Sequence, residues 1–349
     1  MLSWLMGNLC DKSERDSSPA VAVEISAKHA MPTDEPKQLV HSAAVNCLAQ
    51  LGSSLLLSGC KDGNLALYDC AKRLLLSRIS GAHEREVTAV AASPSQLCAS
   101  GSRDKSLRFW RVDAPSEGSN LNLEPAGDLP DAHELVVSAV DFNSLDGSQL
   151  VTGSRDNTVK LWDAVAQQQI SSAVVSRNLV THIRWVPNSH QFLQSGEDKE
   201  LKLWDSRPLK VVGTFSRKQY IQTCCDVRQD GDQCVSSSNG FGGNGCEATV
   251  WDMRSKKPLL ELIGHSESVL TVGYYDDTVV TGSADATVRQ WDPTVGRETA
   301  ILPVEGAGPI ACVRPLPQVA NGLIGAATFN RGVCLCSVGS DSLSLSHRY

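Results

Sequence analysis

The stretch Ser238–Asp252, SNGFGGNGCEATVWD, gathers Gly240, Gly242, Gly243 and Gly245 around Phe241. Glycine clusters of this kind can cradle a phosphate, because backbone amides free of side chains approach an anion closely. A phosphate loop also needs a Gly-Lys-Ser/Thr ending, and a dinucleotide fingerprint needs a strand before it and a helix after it. Here the glycines run into EATVW, an alternating strand-like run. The spacing predicts a long surface loop and no nucleotide site.

The cysteines are the other group with chemistry. Cys47, Cys60, Cys70 and Cys98 fall singly in apolar or alternating runs, where a free thiol serves as a small buried hydrophobe. Cys334 and Cys336, and the set Cys224, Cys225, Cys234 and Cys246, could hold a metal, but the chain has no C-x-x-C pair. The expectation is reduced thiols, no metal and no cofactor.

The elements behind these residues follow from the bulk pattern. An apolar share of 41% is ample for a packed core, and a net charge of −7 argues against nucleic-acid binding. No apolar run is long enough to span a membrane. The opening MLSWLMGNLC lacks the basic start and long apolar core of a secretory signal. TGSRDNTVKLWD (Thr152–Asp163) recurs as QSGEDKELKLWD (Gln194–Asp205), TGSADATVRQWD (Thr281–Asp292) and SGSRDKSLRFWR (Ser100–Arg111). SGCKDGNLALYD (Ser58–Asp69), EATVWD and ATFNRGVCLCS (Ala327–Ser337) complete seven copies, spaced by roughly 40 to 50 residues. Within each unit, short runs such as EVTAVAAS and TVKLW alternate by two between Gly, Asp and Asn turns. A unit of about four short strands buries little alone, so the units must stack around an axis.

The W-D endings and their period resemble the WD40 repeat family over roughly residues 38–349. The resemblance implies an all-β, seven-bladed propeller over residues 37–349 behind a flexible segment, residues 1–36. It also implies buried tetrads: His83, Ser100, Asp104 and Trp110; His133, Thr152, Asp156 and Trp162; and His265, Thr281, Asp285 and Trp291. A His–Asp–hydroxyl set suggests nucleophilic catalysis, but three copies on three blades read as scaffolding, with no catalytic residue. The other units depart: Tyr68 replaces Trp in the first, and Ser176 and Gln194 replace His and the hydroxyl in the fourth. Arg217 stands for His in the fifth, and Gly306, Asn330 and Cys336 stand in the seventh. Those blades are expected to hold mainly by apolar packing.

In the family, the residue before each turn aspartate, and the residue three past each histidine position, face a common docking surface. Here the first set runs Lys61, Arg103, Arg155 and Glu197, then the glycine loop, Ala284 and Phe329. The second runs Ala44, Glu86, Val136, Leu179, Tyr220, Ser268 and Pro309. A basic arc of Lys61, Arg103 and Arg155 beside Glu86, Val136, Leu179, Tyr220 and Phe241 suits an acidic peptide with an apolar anchor. The blander alternative is an arc solvated or paired around Glu86.

The resemblance thus implies a non-enzymatic cytoplasmic adaptor, monomeric within a larger complex, that binds other proteins. Ciliary trafficking is one use of such propellers. The rivals are a ubiquitin-ligase substrate receptor and an enzyme working in the central channel. At the start, Val21–Ala27 alternates and competes with Leu343–Tyr349 to close the ring. Initiation at Met6 would expose Gly7 for myristoylation with Cys10 nearby for a second acyl chain, which would bring peripheral membrane attachment. Asp11 stands where that motif prefers Ser or Thr.

Overall fold

In the computed structural model, residues 40–113, 121–175, 179–319, 322–330, 332–339 and 341–349 are described. Gly7, Cys10, Val21–Ala27 and Ser176 fall outside them. Seven antiparallel sheets follow one another, each of four strands in chain order: Val45–Ile79, Val87–Leu129, Val137–Val174, Val180–Thr214, Gln222–Ile263, Val269–Pro303 and Ile310–Arg348. This is the all-β, seven-bladed propeller the repeats imply. The seventh blade takes its outer strand from its own end, Leu343–Arg348.

The strands form from short apolar runs, several of them rich in β-branched residues, and the chain turns where a residue accepts a left-handed backbone. Between second and third strands that residue is Gly63, Lys105, Asn157, Lys199 or Ala286, with φ from 63 to 83°. At Gly63 a Cβ would meet the His83 carbonyl at 2.3 Å, so only glycine fits. At the other four the preceding aspartate offsets a cost of about 1 kcal/mol by binding the turn. Asp104, Asp156 and Asp285 each accept the backbone N–H and the hydroxyl of Ser106, Thr158 and Thr287, at 2.5 to 3.0 Å.

No blade has a core of its own. Seven apolar clusters each combine residues of two neighbouring blades. Leu57, Leu65 and Leu67 of the first meet Val87, Cys98 and Trp110 of the second, and so on around to Val333 and Leu335 of the seventh against Leu48 and Tyr68 of the first. A polar belt reinforces five of these seams. Asn46, Thr88, Ser138, Thr181 and Thr223, second in their inner strands, donate to the carbonyls of Val87, Val137, Val180, Gln222 and Val269 in the next blade. Leu270 and Ala311 hold the same place in the last two blades, where no such donor exists.

Tyr349 reinforces the seam between the seventh and first blades instead. Its ring, 4% exposed, lies 4.4 Å from that of Tyr68, and its hydroxyl donates to the Asp69 carbonyl at 3.3 Å. Its N–H donates to Val333 at 2.9 Å.

Candidate functional site: buried tetrads and the loop face

In the third blade, Trp162 Nε1–H donates to Thr152 Oγ1 at 2.8 Å. Asp156 Oδ2 can only accept, so His133 Nδ1–H donates to it at 2.9 Å, and Nε2 of the neutral ring accepts from the Thr152 hydroxyl at 2.7 Å. The second blade repeats this through Trp110, Ser100, His83 and Asp104, and the sixth through Trp291, Thr281, His265 and Asp285. Burial lowers the His83 and His133 pKa values, outweighing the pull of Asp104 and Asp156, so both rings are neutral. Burial alone would raise the three aspartates, but hydrogen bonds from His, Ser and Thr hold them below the usual carboxylate range. Ser100, Thr152 and Thr281 are fully buried and spend their hydroxyls inside the chain, so no substrate carbonyl can reach them.

Three of the departing blades are not held by apolar packing alone. In the first, Tyr68 Oη lies 2.6 Å from His41 Nε2, which also meets Ser58 Oγ at 2.9 Å. Its Asp62 accepts instead from Ser42 and Cys60, leaving His41 Nδ1 buried without a partner among the described residues. In the fourth, Trp204 Nε1 donates directly to Gln194 Oε1 at 2.7 Å, so the amide oxygen takes the hydroxyl's place, while Gln194 Nε2 is buried without a partner among the described residues. In the fifth, Trp251 donates to Ser236 at 2.9 Å and Ser236 to Gln222 Oε1 at 2.6 Å. Only the seventh is apolar here, with Ala326 and Cys336 in the hydroxyl and tryptophan places.

The fifth blade also shifts by one residue from expectation. Lys218, not Arg217, holds the histidine position: its N–H donates to Lys199, as His133 donates to Lys105. Its ammonium sits 3.2 Å from Glu247 and 2.5 Å from Glu261. With neither histidine nor turn aspartate to anchor the count, the spacing missed this position.

Seven backbone links ring the mouth of the channel on the histidine-loop face. Lys61, Arg103, Arg155, Glu197, Asn239, Ala284 and Phe329 donate to Ala44, Glu86, Val136, Leu179, Ile221, Ser268 and Pro309, at 2.9 to 3.1 Å. Ile221 therefore replaces Tyr220 in the second set; Tyr220 instead packs on Gly245, where a Cβ would meet its ring at 2.2 Å. The basic arc divides into three behaviours. Lys61 stands 5.5 Å over the Phe329 ring, Arg103 pairs with Glu86 at 3.6 Å, and Arg155 has no ion-pair partner among the described residues.

The glycine loop lies on this face and is tied down. Gly243 N–H donates to Ser266 and the Ser268 hydroxyl to Gly240 O, both on the neighbouring histidine loop. Phe241 and Asn244 bond each other both ways across Gly242 and Gly243, at φ 58 and 79°, so Phe241 is held out with 75% of its surface exposed. Leu135, beside Val136, is also exposed.

Sequence reasoning missed the inner channel wall. Arg184 lies 2.8 Å from Asp226 and 3.6 Å from Asp141, and those two aspartates accept the N–H groups of Tyr274 and Trp185 at 2.8 Å. Arg314 Nε donates to Leu48 O at 3.3 Å. These residues hold the same register in different blades, a placement visible only once the ring is closed. Among the described residues no cluster of His, Cys, Asp or Glu could hold a metal ion.

The WD40 family model, described as WD domain, G-beta repeat, matches residues 35–69, 75–111, 127–163, 171–205 and 256–292, just over half of the chain. The chain belongs to this family. The units passed over are the fifth and seventh, whose slots hold Lys218, Gln222 and Cys336. Among curated proteins, the chain is similar to the ribosome biogenesis protein WDR12 homolog of Drosophila persimilis, 26% identical over 82% of this chain and 81% of that one. It is 28% identical to the protein of that name from Drosophila yakuba over the same shares. With that of Drosophila virilis it shares 31% over 59% of this chain and 51% of the relative.

Proposed function

We propose that this chain is a non-enzymatic WD40 adaptor that captures partner proteins on its histidine-loop face, taking an acidic segment with an apolar anchor. Arg155 carries the reading: a cation with no ion-pair partner among the described residues, bonded through its N–H to Val136 and near the exposed Leu135, on a molecule of net charge −7. Phe241, fixed on its hairpin, offers a rigid aromatic anchor across the mouth, and such anchors dominate binding energy. Catalysis finds no support in the tetrads, whose hydroxyls are sealed.

Within the family, SRNLVTHIRWVP (residues 176–187), SGEDKELKLWDSR (residues 195–207) and NGFGGNGCEATVWD (residues 239–252) resemble WD repeat-containing protein 31, a single-propeller protein. Adaptor work in ciliary trafficking is the use we attach to that likeness. A role in ribosome biogenesis is the second reading, resting on the names of the relatives. Affinity capture from cells with wild type and an Arg103→Glu, Arg155→Glu variant tests the site and sorts the readings. The adaptor reading expects specific partners to be lost from the folded variant. Unchanged capture refutes the site, and enrichment of pre-ribosomal proteins selects the second reading.

A further inference from the structure

Cations also collect on the rim, at the seam between the fourth and fifth blades. Lys210 opens the fourth blade's outer strand, Lys210–Thr214, and Arg217 follows it. Arg254, Lys256 and Lys257 form the turn that leads into the fifth blade's outer strand, Pro258–Ile263. The two parts make one surface. Ser216 N–H donates to Lys256 O at 3.3 Å, and the Lys256 side chain lies over Gly213, where a Cβ would meet its Cε at 2.0 Å.

Nearby cations are neutralised: Arg207 binds Asp205 at 2.6 Å, and Lys218 binds Glu247 and Glu261. Lys210, Arg217, Arg254 and Lys257 are exposed and form no ion pair within the described residues. Val211, Val212 and Leu259 are exposed on the same two segments. Lysines often guard a free strand edge against aggregation, which would account for Lys210. It does not account for the turn, whose backbone is already paired through Lys256 N–H to Asp252 and Asp252 N–H to Lys257.

We propose that this seam is a second docking surface, for an acidic protein segment carrying aliphatic side chains. Cations without an ion-pair partner among the described residues, on the same segments as exposed Val211, Val212 and Leu259, match such a segment in both charge and polarity. A single-stranded nucleic acid would want aromatic rings to stack on, and the patch has none. An adaptor needs two surfaces to join two partners, and Lys210, Arg254 and Lys257 stand at or just before the starts of outer strands, apart from the backbone links that carry Lys61, Arg103 and Arg155.

The test uses the full chain carrying Arg103→Glu and Arg155→Glu, so that the loop face is disabled and the seam is read separately. The probe is a fluorescent peptide of glutamates with a leucine at every third position, followed by anisotropy. An all-glutamate peptide and a uridine oligomer serve as controls. We expect the leucine peptide to bind this host best, and Lys210→Glu with Lys257→Glu to weaken it about tenfold. Val212→Ser should weaken the leucine peptide and leave the all-glutamate one unchanged. No binding to the host, binding unchanged by the seam reversals, or preference for the uridine oligomer each overturns the proposal. None of these outcomes bears on the loop face, and unchanged circular dichroism excludes unfolding as the cause.

Discussion

Replacing Thr152 by valine keeps the shape of the third blade and removes one oxygen. Thr152 Oγ1 accepts from Trp162 at 2.8 Å and donates to His133 at 2.7 Å, in a place with no exposed surface. The variant leaves an indole N–H and an imidazole nitrogen buried without partners, at about 1–3 kcal/mol each. The added methyl offsets about 1 kcal/mol, so the net loss is about 1–5 kcal/mol. Urea unfolding followed by tryptophan fluorescence and circular dichroism reads this directly. Thr152→Ser keeps the oxygen and should cost about 1 kcal/mol, for the lost methyl. A Thr152→Val protein within about 0.5 kcal/mol of wild type would mean that the tetrad contributes nothing net, and the reasoning would fail.

Other substitutions probe the remaining blades. Cys336→Ser places a hydroxyl in the seventh blade's apolar slot and should cost about 1–3 kcal/mol, read by the same unfolding curves. Tyr349→Ala should cost about 3–5 kcal/mol, with hydrogen exchange accelerating in Leu65–Asp69 and Gly332–Val338 and not in the fourth blade; Tyr349→Phe should cost about 1 kcal/mol. Burial lowers His41 and His182 from 6.5 to about 4, so each binds a proton more readily unfolded than folded. Their contribution is complete above pH 6.5 and disappears as pH falls through 4; stability should decline across that window, and a flat profile from pH 7 to 4.5 would contradict it.

The seven blades and three tetrads were legible because three repeats carry a hydroxyl, Asp and Trp at fixed spacing behind a His, and three of the others keep part of that set. That legibility stopped where the anchors stop. In the fifth blade Lys218 and Ile221 were misplaced by one residue, as Arg217 and Tyr220, because neither His nor Asp marks the turn. Gln194 was read as the loss of the hydroxyl, yet its Oε1 accepts the Trp204 N–H as hydroxyls do elsewhere; Gln222, which the repeat did not single out, accepts from Ser236 in the fifth blade. The glycine loop's strand-to-strand position followed from the W-D beyond it, while its ties to Ser266 and Ser268 depend on a neighbouring blade. Arg184 meets Asp141 and Asp226, and Tyr349 meets Tyr68, only across blade seams. Local pattern does not encode such contacts.

The central claim is that partners dock on the face carrying the histidine loops. Hydrogen exchange on the chain purified with its captured partner, against the chain alone, tests it most directly. Slowed exchange should gather in residues 134–137, 154–156 and 239–245, while the turns on the opposite face, residues 144–148 and 229–232, stay unchanged. Protection of the opposite turns, with the loops around Arg155 and Phe241 exchanging as before, would contradict the account.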